Sequence, residues 1–111
     1  MIPKLAEVFK ALGDPTRLRI LSLLSAKKSD ICVGALANRL GVTQPAVSQH
    51  LKVLKNVGIL EANKIGFRVH YRINEDVLTA CKINLDEIIQ ATSPDDNIEN
   101  ICDECSDKNK I

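Results

Sequence analysis

A mainly α-helical fold finished by a small β-hairpin is what this sequence predicts, and three features carry that expectation. The first is Leu40-Gly41-Val42-Thr43, a helix stop joined directly to a helix start. A glycine can take the left-handed conformation that closes one helix, and a threonine hydroxyl can cap the orphan amides of the next. The second is Pro45, placed in that next helix's first turn, where its missing N–H costs nothing. The third is a change of period downstream. Phe67, Val69, Tyr71 and Ile73 alternate with Arg68, His70 and Arg72, the pattern of a strand with one buried face. Helix, helix, strand, strand in this order defines a winged helix-turn-helix, with about five helices and a two-stranded wing.

Each element has its own signal. Leu5, Val8, Phe9 and Leu12 fall at helical spacing, and Gly13 ends that first helix. In Asp14-Pro15-Thr16-Arg17 the aspartate is a cap and the proline stands at the first helical position; Leu18, Ile20, Leu21 and Leu24 then form an apolar face to about Ala26. Lys27-Lys28-Ser29-Asp30 reads as a short polar connection. A third helix is expected from about Val33 to Leu40, with Leu36 and Leu40 inward, and a fourth from about Gln44 to Asn56, ended by Gly58. Val47, Leu51 and Leu54 recur on one face of the fourth, which leaves Gln44, Ser48, Gln49, Lys52 and Lys55 toward solvent or a ligand. Leu60-Glu61-Ala62 supplies the partner strand of the hairpin and Lys64-Ile65-Gly66 the turn. Asn74 caps a fifth helix to about Ala91, whose stripe is Val77, Cys81, Leu85 and Ile88 with Leu78 and Ile89 beside it. So wide an apolar face near a chain end predicts a homodimer, with Leu5, Val8 and Leu12 of the first helix joining the interface.

Charge sharpens this reading. The net charge of +1 conceals +8 over residues 1–72 and −7 over residues 73–111. A basic body suits a polyphosphate partner, and an acidic end suits a solvated tail or a segment that competes with that partner. The expected organisation is one domain over residues 1–92, for DNA binding and dimerisation, followed by a polar, acidic tail over 93–111, expected to be disordered. No segment approaches the ~20 apolar residues of a membrane span and no signal-peptide core is visible, so a cytoplasmic protein with no membrane partner is expected. Aromatic residues make up 3% of the chain and Trp is absent, which disfavours stacking on single-stranded bases. No Gly-rich phosphate loop or paired-histidine metal motif occurs, and the acids cluster in the tail rather than a cleft; the chain is not expected to be an enzyme.

DNA contact follows from the fourth helix and the hairpin. Gln44, Ser48 and Gln49 can hydrogen-bond base edges, and glutamine matches adenine well. Lys52, Lys55, Lys64 and Arg68 suit phosphates, which fix register rather than sequence. Thr43 and Pro45 complete the contacting end of the helix. His50 joins the set as a phosphate contact, against the plainer alternative of a surface or half-buried histidine; Lys52 and Lys55 have the plainer alternative of solvating a helix face. The expected partners are double-stranded operator DNA and a second copy of the chain.

Over Leu5 to about Ile89 the chain resembles the ArsR/SmtB family of small prokaryotic repressors. The resemblance is carried by Leu12-Gly13-Asp14-Pro15-Thr16-Arg17-Leu18-Arg19-Ile20-Leu21, by Thr43-Gln44-Pro45-Ala46-Val47-Ser48-Gln49-His50-Leu51 and by the Gly66 to Ile73 wing. It implies a homodimer that sits on operators near its own promoter and leaves when an effector, often a metal ion, binds. The wing departs from the family pattern: where a basic residue often follows the turn glycine, Phe67 stands here and Arg68 comes one place later.

The cysteines bear on the effector. Asp30-Ile31-Cys32-Val33-Gly34-Ala35-Leu36 resembles the family's metal box, in which two cysteines alternate with a valine; Cys32 is the first and Gly34 replaces the second. The family's other common site, on the last helix, needs Asp and His, and Glu75, Val77 and Ile88 occupy roughly those places. Cys102 and Cys105, three residues apart in the tail, can chelate one soft ion or close a disulfide. With Cys32 they offer three thiolates, so the cofactor the sequence points to is a soft metal or metalloid ion held by cysteine thiolates. Cys81 reads as a small buried hydrophobe. Three functions stay open at this point: a repressor whose thiols sense a soft ion or oxidant, a repressor with no effector at these cysteines, and a winged helix used only to bind other proteins.

Overall fold

A computed structural model describes residues 2–27 and 31–90. The elements are α1 (Ile2–Leu12), α2 (Pro15–Lys27), β1 (Ile31–Cys32), α3 (Val33–Leu40), α4 (Gln44–Asn56), β2 (Leu60–Ile65), β3 (Arg68–Ile73) and α5 (Glu75–Ile89). Local chemistry sets the helix ends as expected. Asp14 Oδ1 accepts from the Thr16 and Arg17 amides at 2.8 and 3.2 Å, Thr43 Oγ1 from Ala46 at 3.3 Å, and Asn74 Oδ1 from Asp76 at 3.2 Å. Gly41 closes α3 at φ 71°, ψ 27°, a left-handed conformation that a side chain would strain. Only Val42 and Thr43 then separate it from α4.

The core is assembled from every element except the wing tip. Leu5, Val8 and Ala11 of α1 meet Ile20 and Leu24 of α2, Leu36, Ala37 and Leu40 of α3, and Val47, Leu51 and Leu54 of α4. Ile59 just before β2, Leu60 at its start and Cys81 of α5 complete it. No polar or charged residue is fully buried among the described residues.

Three features differ from the sequence expectation. The connection after α2 ends in a third strand. β1 pairs antiparallel with β3, Ile31 against Tyr71 and Cys32 against His70, so the sheet order is β1-β3-β2. Two residues are too few to show a period, and their pairing is settled by a strand some forty positions away. The hairpin is also longer. β2 runs to Ile65, and Gly66-Phe67 forms the turn, with Gly66 at φ 63°. The one-faced pattern therefore holds only at the base of the wing, where Leu60 is buried and Tyr71 and Ile73 are half-buried; beyond Val69 no helix remains to cover the strands.

The third difference concerns the stripe assigned to dimerisation. Leu5, Val8 and Cys81 are buried within the protomer's own core, so they have no free surface to offer a mate. Leu12 and Val77 are half-buried against that core and Leu85 is half-buried on α5; Ile88 is 51% exposed. The reason is that α1 packs on α2, α4 and α5, with Lys4 Nζ donating to the Val57 carbonyl at 2.9 Å. A stripe read from one helix cannot tell which neighbour will cover it. Phe9, placed inward by spacing, is 42% exposed, and Ala11 takes its place inside.

Candidate nucleic-acid interface

α4 is anchored on one side and free on the other. Val47, Leu51 and Leu54 are fully buried, while Thr43, Gln44, Pro45, Ser48, Gln49, Lys52 and Lys55 are exposed, the pattern expected of a reading helix fixed by its apolar face. Burying these three side chains contributes roughly 1.5–3 kcal/mol each toward holding α4 in place. Lys64 and Arg68 are exposed on the wing. Arg72 is engaged with Glu61 at 3.1 Å, an exposed pair worth at most about 1 kcal/mol.

His50 is half-buried and already in use. Arg17 Nε donates to His50 Nδ1 at 3.1 Å, and Arg17 Nη1 donates to the Ala11 carbonyl at 3.1 Å. A guanidinium has only donors, so Nδ1 is the lone-pair nitrogen and the neutral ring carries its proton on Nε2. One side chain from α2 thus ties the end of α1 to the middle of α4. His50 can enter a DNA interface only through Nε2. Sequence reasoning treated Arg17 as part of a helix start and missed this role; the available signal was a cation immediately after a capped Asp-Pro-Thr.

The start of α3 touches the start of α4. A Cβ added at Gly34 would stand 3.5 Å from Gln44 Nε2, so the place of the metal box's second cysteine lies against the first residue of the reading helix. Cys32, the N-cap of α3, is half-buried and faces His70 across the sheet. No cap hydrogen bond closes on its thiol. The Ala35 amide nonetheless holds the thiol below its usual range, against the opposing effect of burial and with help from the Arg68 charge and the Gly34 amide. An orphan N–H of a first turn favours a thiolate far more than a thiol. His70 Nδ1 is buried and has no hydrogen-bond partner among the described residues. The described residues hold no group of three or more side chains able to bind a metal. Cys102 and Cys105 lie outside them.

A capped reading helix, a preceding helix joined by a three-residue turn and a basic wing define a winged helix-turn-helix DNA-binding protein. Residues 14–62 match the family model described as "Bacterial regulatory protein, arsR family". A helix-turn-helix transcriptional regulator of Methanocaldococcus jannaschii is 48% identical over 73 residues, 66% of this chain and 81% of that one. The transcriptional repressor SdpR of Bacillus subtilis is 38% identical over 64% of this chain and 77% of its own length. The arsenical resistance operon repressor of Escherichia coli is 41% identical over 64% of this chain, and the match spans 60% of that protein. Among solved structures, an ArsR-like transcriptional regulator from Rhodococcus superposes with a TM-score of 0.74 at 32% identity, over 92% of both chains. The homodimeric winged helix-turn-helix DNA-binding domain Mb0332 of Mycobacterium bovis gives 0.65 at 32% identity, over 83% of each. The chain belongs to the ArsR/SmtB family of DNA-binding transcriptional repressors, and that family is not enzymatic. Among the described residues no helix is long and apolar enough to cross a membrane.

Proposed function

We propose that the chain acts as a homodimer on double-stranded operator DNA in the cytoplasm and leaves it when a thiol-directed effector arrives. The observation that carries this reading is α4, pinned by three fully buried side chains and exposing glutamine, serine and lysine beside a basic wing. Gln44, Ser48 and Gln49 read base edges; Thr43, Lys52, Lys55, Lys64, Arg68 and the Nε2 of His50 serve phosphates, with Pro45 shaping the entering turn. The dimer uses what α1 and α5 leave uncovered. Ile2 and Phe9 of α1 and Ile88 and Ile89 of α5 are exposed, and Leu12, Val77 and Leu85 are half-buried. The two reading helices then stand about 34 Å apart, one turn of DNA.

For the effector, Cys32 is the described thiol in the right place: it heads the helix that touches Gln44. Cys102 and Cys105 supply the further thiolates that a soft metal or metalloid ion requires. The M. bovis homodimer and the E. coli arsenical-operon repressor support the dimer and the class of effector respectively. The test is a titration of the reduced, operator-bound protein with arsenite, cadmium and zinc, following thiolate absorption and DNA release together. Expected is release with a coupling of ~1–3 kcal/mol, lost in the Cys102→Ser, Cys105→Ser double variant with basal binding intact. Release that persists in that variant and disappears in Cys32→Ser would place the sensor at α3 alone. No release by any of these ions, nor by oxidant, would leave a repressor without an effector at its cysteines.

A further inference from the structure

Phe67 occupies the tip of the wing and is fully exposed, at 105% of its reference surface. Its neighbours in the hairpin, Ile65 and Val69, are 52% and 37% exposed. Phe67 buries no surface against the protomer, and Ile65 and Val69 are covered only in part. Cations flank them on both faces. Lys64 pairs with Val69 and Ile65 pairs with Arg68, and successive residues of a strand point to opposite faces, so Lys64 and Arg68 project from opposite sides of the ribbon. The tip is therefore an aromatic edge with one positive charge on each flank.

Its position relative to α4 is fixed by contacts. Arg68 and His70 share a face of β3, His70 faces Cys32, and Cys32 begins the helix whose Gly34 lies against Gln44. The middle of β3 is thus linked through β1 and the start of α3 to the N-terminal end of α4, the end that approaches base edges, while β2 continues from its C-terminal end. With α4 in a major groove, the next concavity beyond the intervening phosphates is a minor groove, about 6 Å wide, too narrow for a helix and wide enough for a two-residue turn.

We infer that Phe67 is a minor-groove wedge: the wing tip enters the groove flanking each half-site, Lys64 and Arg68 hold its two phosphate walls, and the ring presses into a base step. This inference rests on the DNA-binding reading of α4 and adds to it a source of specificity without base hydrogen bonds. Apolar wedges unstack and kink the step they enter, and pyrimidine–purine steps yield most easily, so the wedge selects such a step beside the half-site.

The experiment uses the full chain and a duplex that it selects from a random-sequence library, with 2-aminopurine placed at the steps flanking the half-sites. Binding of the unaltered protein raises 2-aminopurine fluorescence as a base unstacks. Phe67→Ala keeps its thermal midpoint, loses about tenfold in affinity, and loses both the fluorescence rise and the flanking-step preference. Phe67→Lys binds with a salt dependence steeper by about one phosphate contact, yet without the unstacking signal. A Phe67→Ala protein with unchanged affinity, step preference and fluorescence overturns the wedge while leaving α4 as the reading helix. An unaltered protein that selects no duplex overturns both readings, and points to a protein as the partner of the tip.

Discussion

Gln49 and Lys52 lie on the exposed side of α4 yet carry different chemistry, and the difference is measurable. Gln49→Ala removes a base-edge pair and is expected to cost about 1–3 kcal/mol with relaxed preference at one position. Lys52→Ala is expected to weaken all sequences alike and to flatten the salt slope. Binding across a panel of single-base operator variants at several salt concentrations separates the two; uniform loss in both would remove the assigned roles. Arg17 makes the complementary case for a residue that supports the site without facing DNA. Arg17→Ala leaves His50 Nδ1 and the Ala11 carbonyl without their shared donor, and a loss of about 1–2 kcal/mol of stability is expected from chemical denaturation. Asp14 adds a pH dependence. Hydrogen bonds from the Arg17 and Thr16 amides, with the nearby His50 and Arg17 side chains, hold its carboxyl below the usual carboxylate range against the opposing effect of burial. A depressed carboxyl contributes stability above its unfolded pKa and loses it as pH falls through the folded value. Acid unfolding should therefore be less steep in Asp14→Asn, and identical acid profiles would show that the cap carries no linkage.

At the scale of elements, the helix-turn-helix is anchored in the core and the tip of the wing is not. α3 and α4 each bury three side chains, and Thr43 caps the second of them. Leu51→Ala, at a fully buried position, is expected to cost about 2–5 kcal/mol, because the surrounding helices cannot collapse onto the void. Thr43→Ala is expected to cost about 1 kcal/mol and to fray the first turn of α4, where Gln44 sits. Melting curves of the two variants give both values; a Thr43→Ala protein as stable as the parent would mean the cap is idle. The hairpin beyond Val69 rests on strand pairing alone, so substitutions there should alter DNA binding while leaving the melting temperature in place. Gly66 is the exception, because its left-handed backbone closes the turn.

For the whole molecule the decisive question is how two protomers meet. Ile88 is the better probe than Leu85, since it is half exposed while Leu85 is partly covered by its own chain. Ile88→Asp places a charge in the proposed interface without disturbing the protomer core. Expected are a monomer by sedimentation, an unchanged far-ultraviolet spectrum and loss of tight binding to a two-half-site operator. A monomer that still bound such an operator tightly would remove the dimer from the mechanism. Six carboxylates between residues 93 and 107 should compete with phosphates at low salt, so removing residues 94–111 is expected to leave affinity equal or higher. A large loss of affinity on that truncation would make the tail part of the DNA-binding unit.

Local chemistry determined much of this protein in advance. The helix stop at Gly41, the cap at Thr43, the buried triad Val47, Leu51 and Leu54, and the exposed Gln44, Ser48 and Gln49 were legible because each depends on neighbours within about one helical turn. Tertiary structure decided the rest. β1 exists only because β3 offers it an edge; Leu5, Val8 and Cys81 turn inward because α1 meets α2, α4 and α5; and His50 is held by an arginine 33 residues away. Phe67 leaves the inward row because the turn falls one residue later than the alternation implied. Periodicity reports which face of an element is apolar. It carries no information about which long-range partner covers that face, and pairing between distant residues is settled only when the chain has folded.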